Sequence, residues 1–242
     1  MFVTGRSIGG GSFDDYATIK YSAAGVPLWT NRYNGPGNDD DEALAVAVDG
    51  GGNVFVTGGS LSGFGPEYAT IKYSSAGVPL WTNRYGGDVA LAVAVDGSGN
   101  VFVTGESSFD YVTVAYSGAG VPLWTNRYNG PGNNTDDARA MAVDGSGNVF
   151  VTGSSIGSDS HDYATIKYSI TLPWLTINRT AINSVVVSWP SAWTGFTLQQ
   201  NSNVNNALAS SDVSIGVQDD GTTKTLIVNP PSGNRFFRLN KP

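Results

Sequence analysis

The sequence predicts an all-β chain built by repetition, and three observations carry that expectation. Phe-Val-Thr-Gly occurs four times, at Phe2, Phe55, Phe102 and Phe150, spaced 53, 47 and 48 residues apart. Each copy heads the same succession of short alternating segments, separated by the Gly, Asn, Asp and Ser residues that turn a chain between strands. No stretch shows the 3.6-residue spacing of a long helix. A repeat of this length is a unit that cannot bury its own apolar face and must stack on its neighbours.

The unit from Ala90 to Tyr128 shows the plan. Strand a is Ala90-Leu91-Ala92-Val93-Ala94-Val95, apolar on both faces and so expected to be buried on both sides. Asp96-Gly97-Ser98-Gly99-Asn100 turns the chain, and Val101-Phe102-Val103-Thr104 forms strand b. Strand c is Tyr111-Val112-Thr113-Val114-Ala115-Tyr116. After the Ser117-to-Gly120 turn comes strand d, Pro122 to Tyr128, whose leading proline suits an edge strand. Four antiparallel strands, buried first and amphipathic last, describe one blade of a β-propeller.

The expected fold is a partial or small β-propeller of about four four-stranded blades over residues 1–169, with blades broken near 42, 89 and 137. The first blade lacks strand a. The fourth reaches only strand c, although Pro173-Trp174-Leu175-Thr176-Ile177-Asn178-Arg179 is a degraded echo of strand d. Met1 therefore falls inside a blade, and the sequence reads as a truncated piece of a longer protein. A small closed ring, or an open arc that associates with a second copy through unclosed edges, are the alternatives.

The run Ala-Val-Asp-Gly-x-Gly-Asn-Val-Phe-Val-Thr-Gly, with Asp-Tyr-Ala-Thr-Ile-Lys-Tyr and Leu-Trp-Thr after it, resembles the SBBP-type β-propeller repeat of bacterial surface and secreted proteins. That resemblance covers residues 1–169. It implies a propeller scaffold, secreted or at the cell surface, without assigned activity. Residues 170–242 differ in composition and form the second domain. Ser184 to Pro190, Gly195 to Gln199, Asp212 to Ile215, Thr225 to Val228 and Phe236 to Leu239 are short alternating runs between turns, expected to build a small β-sandwich. Ser-Trp-Pro, Gly-Phe-x-Leu-Gln and Phe-Phe-Arg-Leu resemble the short fibronectin- or immunoglobulin-like modules that end modular secreted bacterial proteins. Spacing, anchoring or export is the role that resemblance implies.

Comparing the copies locates the variation. The a-to-b and c-to-d turns keep their lengths, whereas the b-to-c and d-to-a connections change. In an up-and-down blade those two connections emerge at the same end. Asp14, Asp15, Asp39, Asp40, Asp41, Glu42, Glu67, Asp88, Glu106, Asp110, Asp136, Asp137, Asp159 and Asp162 map there, 14 of the 20 carboxylates. Variable loops on a rigid frame are where binding usually resides, and a one-signed surface concentrates cationic ligands. The expected binding face comprises Asp15, Asp39, Asp40, Asp41, Glu42, Glu67, Asp110, Asp136, Asp137 and Asp162, presented to a protein, a glycan or calcium. The competing structural reading pairs Asp15, Glu67, Asp110 and Asp162 with Arg32, Arg84 and Arg127 as a belt.

Charge and composition narrow the function classes. A net charge of −7 argues against nucleic acid or an anionic membrane as partner, and no long apolar run suggests membrane insertion. Absence of cysteine excludes thiolate metal sites and a cysteine nucleophile. Calcium is the one cofactor the residues admit, through Asp39, Asp41, Asp136 and Asp137, although their spacing matches no EF-hand. Asp-Gly-x-Gly-Asn at 49–53, 96–100 and 144–148 is read as a hairpin turn rather than a calcium loop. The glycine-rich stretch from Arg6 to Ser12 lacks the Gly-Lys-Ser/Thr ending of a phosphate cradle.

No catalytic motif emerges, so the chain is expected to be non-enzymatic. His161, the sole histidine, stands between Ser160 and Asp162, and consecutive residues do not form a triad. A polysaccharide hydrolase or lyase is the competing enzyme reading, with Asp39 to Glu42 and His161 as its candidates. A purely structural surface repeat is the third. Trp29, Trp81 and Trp124 recur on strand d and are expected to pack between blades. Arg139, where Leu44 and Leu91 stand in other copies, breaks the expected buried pattern of strand a.

Overall fold

The structure, a computed structural model, describes residues 1–8, 13–63, 65–157, 160–169, 175–180, 184–191, 197–202, 210–213, 216–229, 233 and 235–240. The chain divides into two compact units, Met1–Ile170 and Thr171–Pro242.

The first unit holds fourteen strands in four antiparallel sheets. Blade 1 contains β1 (Phe2–Ile8), β2 (Asp14–Tyr21) and β3 (Pro27–Tyr33). In blade 2 are β4 (Asp41–Val48), β5 (Val54–Ser62), β6 (Gly65–Tyr73) and β7 (Pro79–Gly86). Blade 3 is built from β8 (Val89–Val95), β9 (Val101–Ser107), β10 (Asp110–Tyr116) and β11 (Pro122–Tyr128). Blade 4 has β12 (Asp136–Val143), β13 (Val149–Ile156) and β14 (His161–Tyr168). Each sheet runs in chain order, so strands b and c lie inside the four-stranded sheets and a and d form their edges. The propeller-like blades are thus in place, with strand a absent from blade 1 and no fourth strand on β14 among the described residues.

Apolar burial is concentrated in the seams between blades. Tyr16 of blade 1 joins Val54, Val56, Ala69 and Ile71 of blade 2 in one cluster. Phe55 and Tyr68 of blade 2 join Val101, Val103, Val112 and Val114 of blade 3 in a second. Phe102 and Tyr111 of blade 3 join Val149 and Val151 of blade 4 in a third. An aromatic stack crosses each seam. The ring centroids of Phe2, Trp29 and Tyr73 follow one another at 5.9 and 6.0 Å, and the series repeats as Phe55, Trp81, Tyr116 and as Phe102, Trp124, Tyr168. The strand-d tryptophans therefore join blades.

Within each sheet, threonines tie strand b to strand c. Thr57 and Thr70 stand 2.9 Å apart, and Thr57 Oγ1 also donates to the Ala69 carbonyl. The same pairing recurs at Thr4 with Thr18, Thr104 with Thr113, and Thr152 with Thr165. Asp49 Oδ1 accepts the amides of Gly51 and Asn53, and its Oδ2 accepts Asn53 Nδ2. Asp96 and Asp144 repeat those bonds, so Asp-Gly-x-Gly-Asn closes on itself as a hairpin turn.

Strand a departs from expectation in two ways. It is an edge strand, and its only buried apolar residues are Ala43, Ala90 and Ala138, whereas b and c of blades 2 and 3 carry the continuous buried runs. It also carries a bulge: Ala43 pairs with Gly58 and Ala45 with Thr57, leaving Leu44 as the extra residue. Leu91 and Arg139 are the extra residues in β8 and β12. Arg139 thus interrupts no buried row, because its position is bulged and exposed and its guanidinium lies 2.5 Å from Asp137. The bulge presses strand a onto the last residue of Phe-Val-Thr-Gly. A Cβ at Gly58 would come within 1.9 Å of the Glu42 carbonyl oxygen, with equivalent clashes at Gly105 and Gly153. Gly5, which has no strand a beside it, meets nothing within 4 Å.

The described residues of the second unit form two antiparallel sheets. β15 (Thr176–Arg179), β16 (Val185–Pro190), β20 (Thr223–Val228) and β19 (Val217–Asp219) form one, in that order. β18 (Ser211–Asp212), β17 (Thr197–Asn201) and β21 (Phe236–Asn240) form the other. Val187, Trp189 and Leu226 from the first pack with Leu198 from the second in a single core. The echo of strand d is placed here rather than on blade 4. Residues 176–179 pair with β16, and Pro173 and Trp174 lie outside the described residues.

Candidate binding face

Antiparallel pairing puts the b-to-c and d-to-a connections at one end of every blade, and most of the nominated acids begin the strands there. Those on strand c are held by the chain's own arginines. Arg32 lies 3.3 Å from Asp15, Arg84 2.5 Å from Glu67 and Arg127 2.8 Å from Asp110. Each guanidinium also reaches the serine two residues after the strand-b glycine: Ser7, Ser60 and Ser107. Three of the four acids in the belt reading are paired as that reading expects. Asp162, the fourth, has neither an arginine nor a strand d beside it among the described residues.

Asp41 and Asp136 are turned inward and fully buried. Each follows an Asn-Gly-Pro-Gly-Asn turn in which Asn38 or Asn133 takes a left-handed backbone, φ 50° or 48°. Asp41 Oδ2 accepts the Gly35 amide at 2.5 Å, and Asp136 Oδ2 the Gly130 amide at 2.5 Å. Oδ1 of both has no hydrogen-bond partner among the described residues. Burial raises the Asp41 carboxyl above its ordinary pKa, against the pull of the Gly35 amide, Ser60 and Arg84. A Cβ at Gly35 or Gly130 would stand 2.4 Å from Ser60 or Ser155 Oγ, so a side chain there would displace the serine hydroxyl.

The remaining acids are more open. Asp39 accepts the Asp40 amide, and Asp40 accepts the Asp14 amide of the neighbouring blade. Glu42 is half exposed, with Arg6 at 3.9 Å. Asp88 Oδ2 accepts the Ser108 amide. Glu106 has its pKa raised by burial and then by the like charges of Asp137 and Asp88, with Arg139 opposing. Asp159 lies outside the described residues.

The four acids nominated for calcium do not come together. Asp41 and Asp136 face their own turns, Asp137 is occupied by Arg139, and Asp39 bonds its own loop. Among the described residues no three His, Asp or Glu side chains converge into a group that could hold a metal ion. Of the enzyme candidates, Asp41 is buried in blade 2 and His161 opens β14 opposite Ile156 in blade 4. Residue reasoning missed the inward turn of Asp41 and Asp136. The available signal was their fixed place six residues after the first glycine of Asn-Gly-Pro-Gly-Asn, a turn that the short connection before Ala90 lacks.

Residues 123–159 match the SBBP family model, described as a beta-propeller repeat. The SBBP match begins on strand d of blade 3 and runs past strand b of blade 4, thus including Asp136, Asp137 and Ser155. No curated protein matches the chain. Among solved structures it is similar to a protein of unknown function from Bacteroides caccae, with 10% identity over 89% of this chain and 82% of that one, at a TM-score of 0.42. A protein from Lactobacillus plantarum is similar at 16% identity over 88% and 68%, with a TM-score of 0.40. Neither likeness bears on function.

Proposed function

We propose that the chain is a non-catalytic binding scaffold whose variable loop end receives a protein with a basic contact surface. The observation that carries this reading is where the unanswered charge lies. Ion pairs consume Asp15, Glu67 and Asp110 at the starts of strand c in blades 1 to 3, while Asp39, Asp40, Asp88 and Glu106 have no ion pair with an arginine among the described residues at the end where connections differ in length. The like-charge pressure on Glu106 supports a local negative potential, which draws cationic surfaces and speeds their encounter. Dispersal of the nominated calcium ligands favours a protein over the ion. Secretion or display at a bacterial surface is what the SBBP resemblance implies for where this takes place.

A lysine-rich peptide titrated against wild type and an Asp39→Asn, Asp40→Asn double variant tests the reading, with calcium chloride titrated in parallel. Expected are peptide binding that weakens steeply with salt and falls several-fold in the variant, and no calcium response. Equal binding by both proteins, or binding indifferent to salt, would sink it.

A further inference from the structure

Among the described residues blade 4 has no strand d, which the other blades possess, and its groups are arranged for one. In blade 2 the Arg84 side chain fills a socket made by Tyr33, Ser60 and Glu67, beside the buried carboxylate of Asp41 and the side-chain-free surface of Gly35. Tyr128, Ser155, Asp162, Asp136 and Gly130 are the counterparts in blade 4, each 95 residues further on. The Gly130–Ser155–Asp136 approach reproduces that of Gly35, Ser60 and Asp41 to within 0.1 Å. Here, however, the space is an open cleft of about 350 Å³ lined by Tyr128, Pro131, Ser155, Asp162 and Tyr163. Asp136 Oδ1 is buried beside it without a hydrogen bond among the described residues, as Asp41 Oδ1 is in blade 2.

Two further features of β14 are unmatched. Its outer backbone edge has no partner among the described residues, a template for strand addition. Tyr163 is 84% exposed, whereas in blades 1 to 3 the strand-d tyrosines Tyr33, Tyr85 and Tyr128 pack on Tyr16, Tyr68 and Tyr111.

We propose that this edge is a docking groove for an extended segment of a partner polypeptide carrying the strand-d pattern Leu-Trp-Thr-Asn-Arg-Tyr, its arginine entering the cleft between Ser155 and Asp162. In blade 2 Arg84 stands opposite Ala69, Trp81 opposite Lys72 and Tyr85 opposite Tyr68. The added strand then sets its arginine opposite Ala164, its tryptophan opposite Lys167 and its tyrosine over Tyr163. The donor is a separate polypeptide, since this chain's Arg32, Arg84 and Arg127 are engaged in their own blades and residues 176–179 pair with β16. This goes beyond the loop-face reading and uses none of Asp39, Asp40 or Asp88.

The test is fluorescence anisotropy with a labelled peptide of the sequence of residues 121–128, against the full chain. Wild type and Asp162→Asn are each titrated with that peptide and with a version whose arginine is alanine. Saturable binding is expected, weakened about tenfold by either change, with the two changes together costing little more than one because both remove the same ion pair. Asp162 is exposed, so its variant should melt with wild type, and the alanine peptide tests the arginine independently of that variant. No saturable binding, equal binding of the two peptides, or fully additive losses would overturn the proposal. Binding that emerges only after Arg179→Ala would replace the partner by the chain's own 176–179 segment. Concentration-dependent self-association abolished by Asp162→Asn would replace it by a second copy.

Discussion

The segment Tyr-Ala-Thr-Ile-Lys-Tyr occurs identically in blade 2, as Tyr68 to Tyr73, and in blade 4, as Tyr163 to Tyr168, yet the two are buried to opposite degrees. Tyr68 is 1% exposed, with its hydroxyl donating to the Glu106 carbonyl of blade 3, and Tyr163 is 84% exposed. Local sequence, strand register and threonine pairing are the same in both. What differs, among the described residues, is whether strand d and a following blade lie alongside. In a stacked array an apolar residue's energetic value belongs to the seam rather than to the unit that encodes it.

Substitutions at matched positions can break that comparison. Tyr68→Ala should destabilise the first unit by about 3–5 kcal/mol, the cost of deleting a buried aromatic. Tyr163→Ala should change stability by less than about 0.5 kcal/mol, as at an ordinary surface site. Urea unfolding followed by tryptophan fluorescence reads both, and similar losses would refute the seam account. The repeated glycine gives a smaller contrast. Gly58→Ala forces a Cβ onto the Glu42 carbonyl and should cost about 1–3 kcal/mol, whereas Gly5→Ala should be neutral to within about 0.5 kcal/mol.

The hairpin aspartates should show the least contrast, because Asp49 and Asp144 make their bonds within their own turns. Both carboxyls are held below the ordinary value. For Asp49, bonds from Asn53 and Gly51 outweigh burial, and for Asp144 the bond from Asn148 leads. A depressed folded value stabilises the native state at neutral pH, and that contribution disappears as pH falls through it, below about 4. Asp49→Asn and Asp144→Asn should therefore lower the melting temperature by similar small amounts at pH 7, and the gap to wild type should close on acidification. A gap at Asp49 much larger than at Asp144 would show that even these turns sense their neighbours.

Much of the architecture was legible because its signals are local and repeated. Alternation and turn residues placed all fourteen strands of the first unit, and comparison of the copies placed the variable connections at one end. The bulge was not legible, because Leu91, Val93 and Val95 read as one in-register face, although Leu91 is the extra residue. Nor was the inward turn of Asp41, because a carboxylate after Asn38-Asp39-Asp40 looks like one more loop acid until its bond to the Gly35 amide is seen. The arginine belt was open to view: Gly-x-Ser on strand b, an acid opening strand c and Arg on strand d recur in three copies, and its incomplete fourth copy marks the cleft at Asp162.

The aromatic stacks have a consequence for how such a chain can change in length. Blades 2 and 3 each contribute a Phe and a Trp to the seam on the far side and a Tyr to the one on the near side, as Phe55 with Trp81 and Tyr73 do for blade 2. One unit carries complementary halves of two joints, so any copy fits beside any other. Tandem duplication or loss of a whole unit by misaligned recombination would thus yield a packed array without compensating substitutions elsewhere.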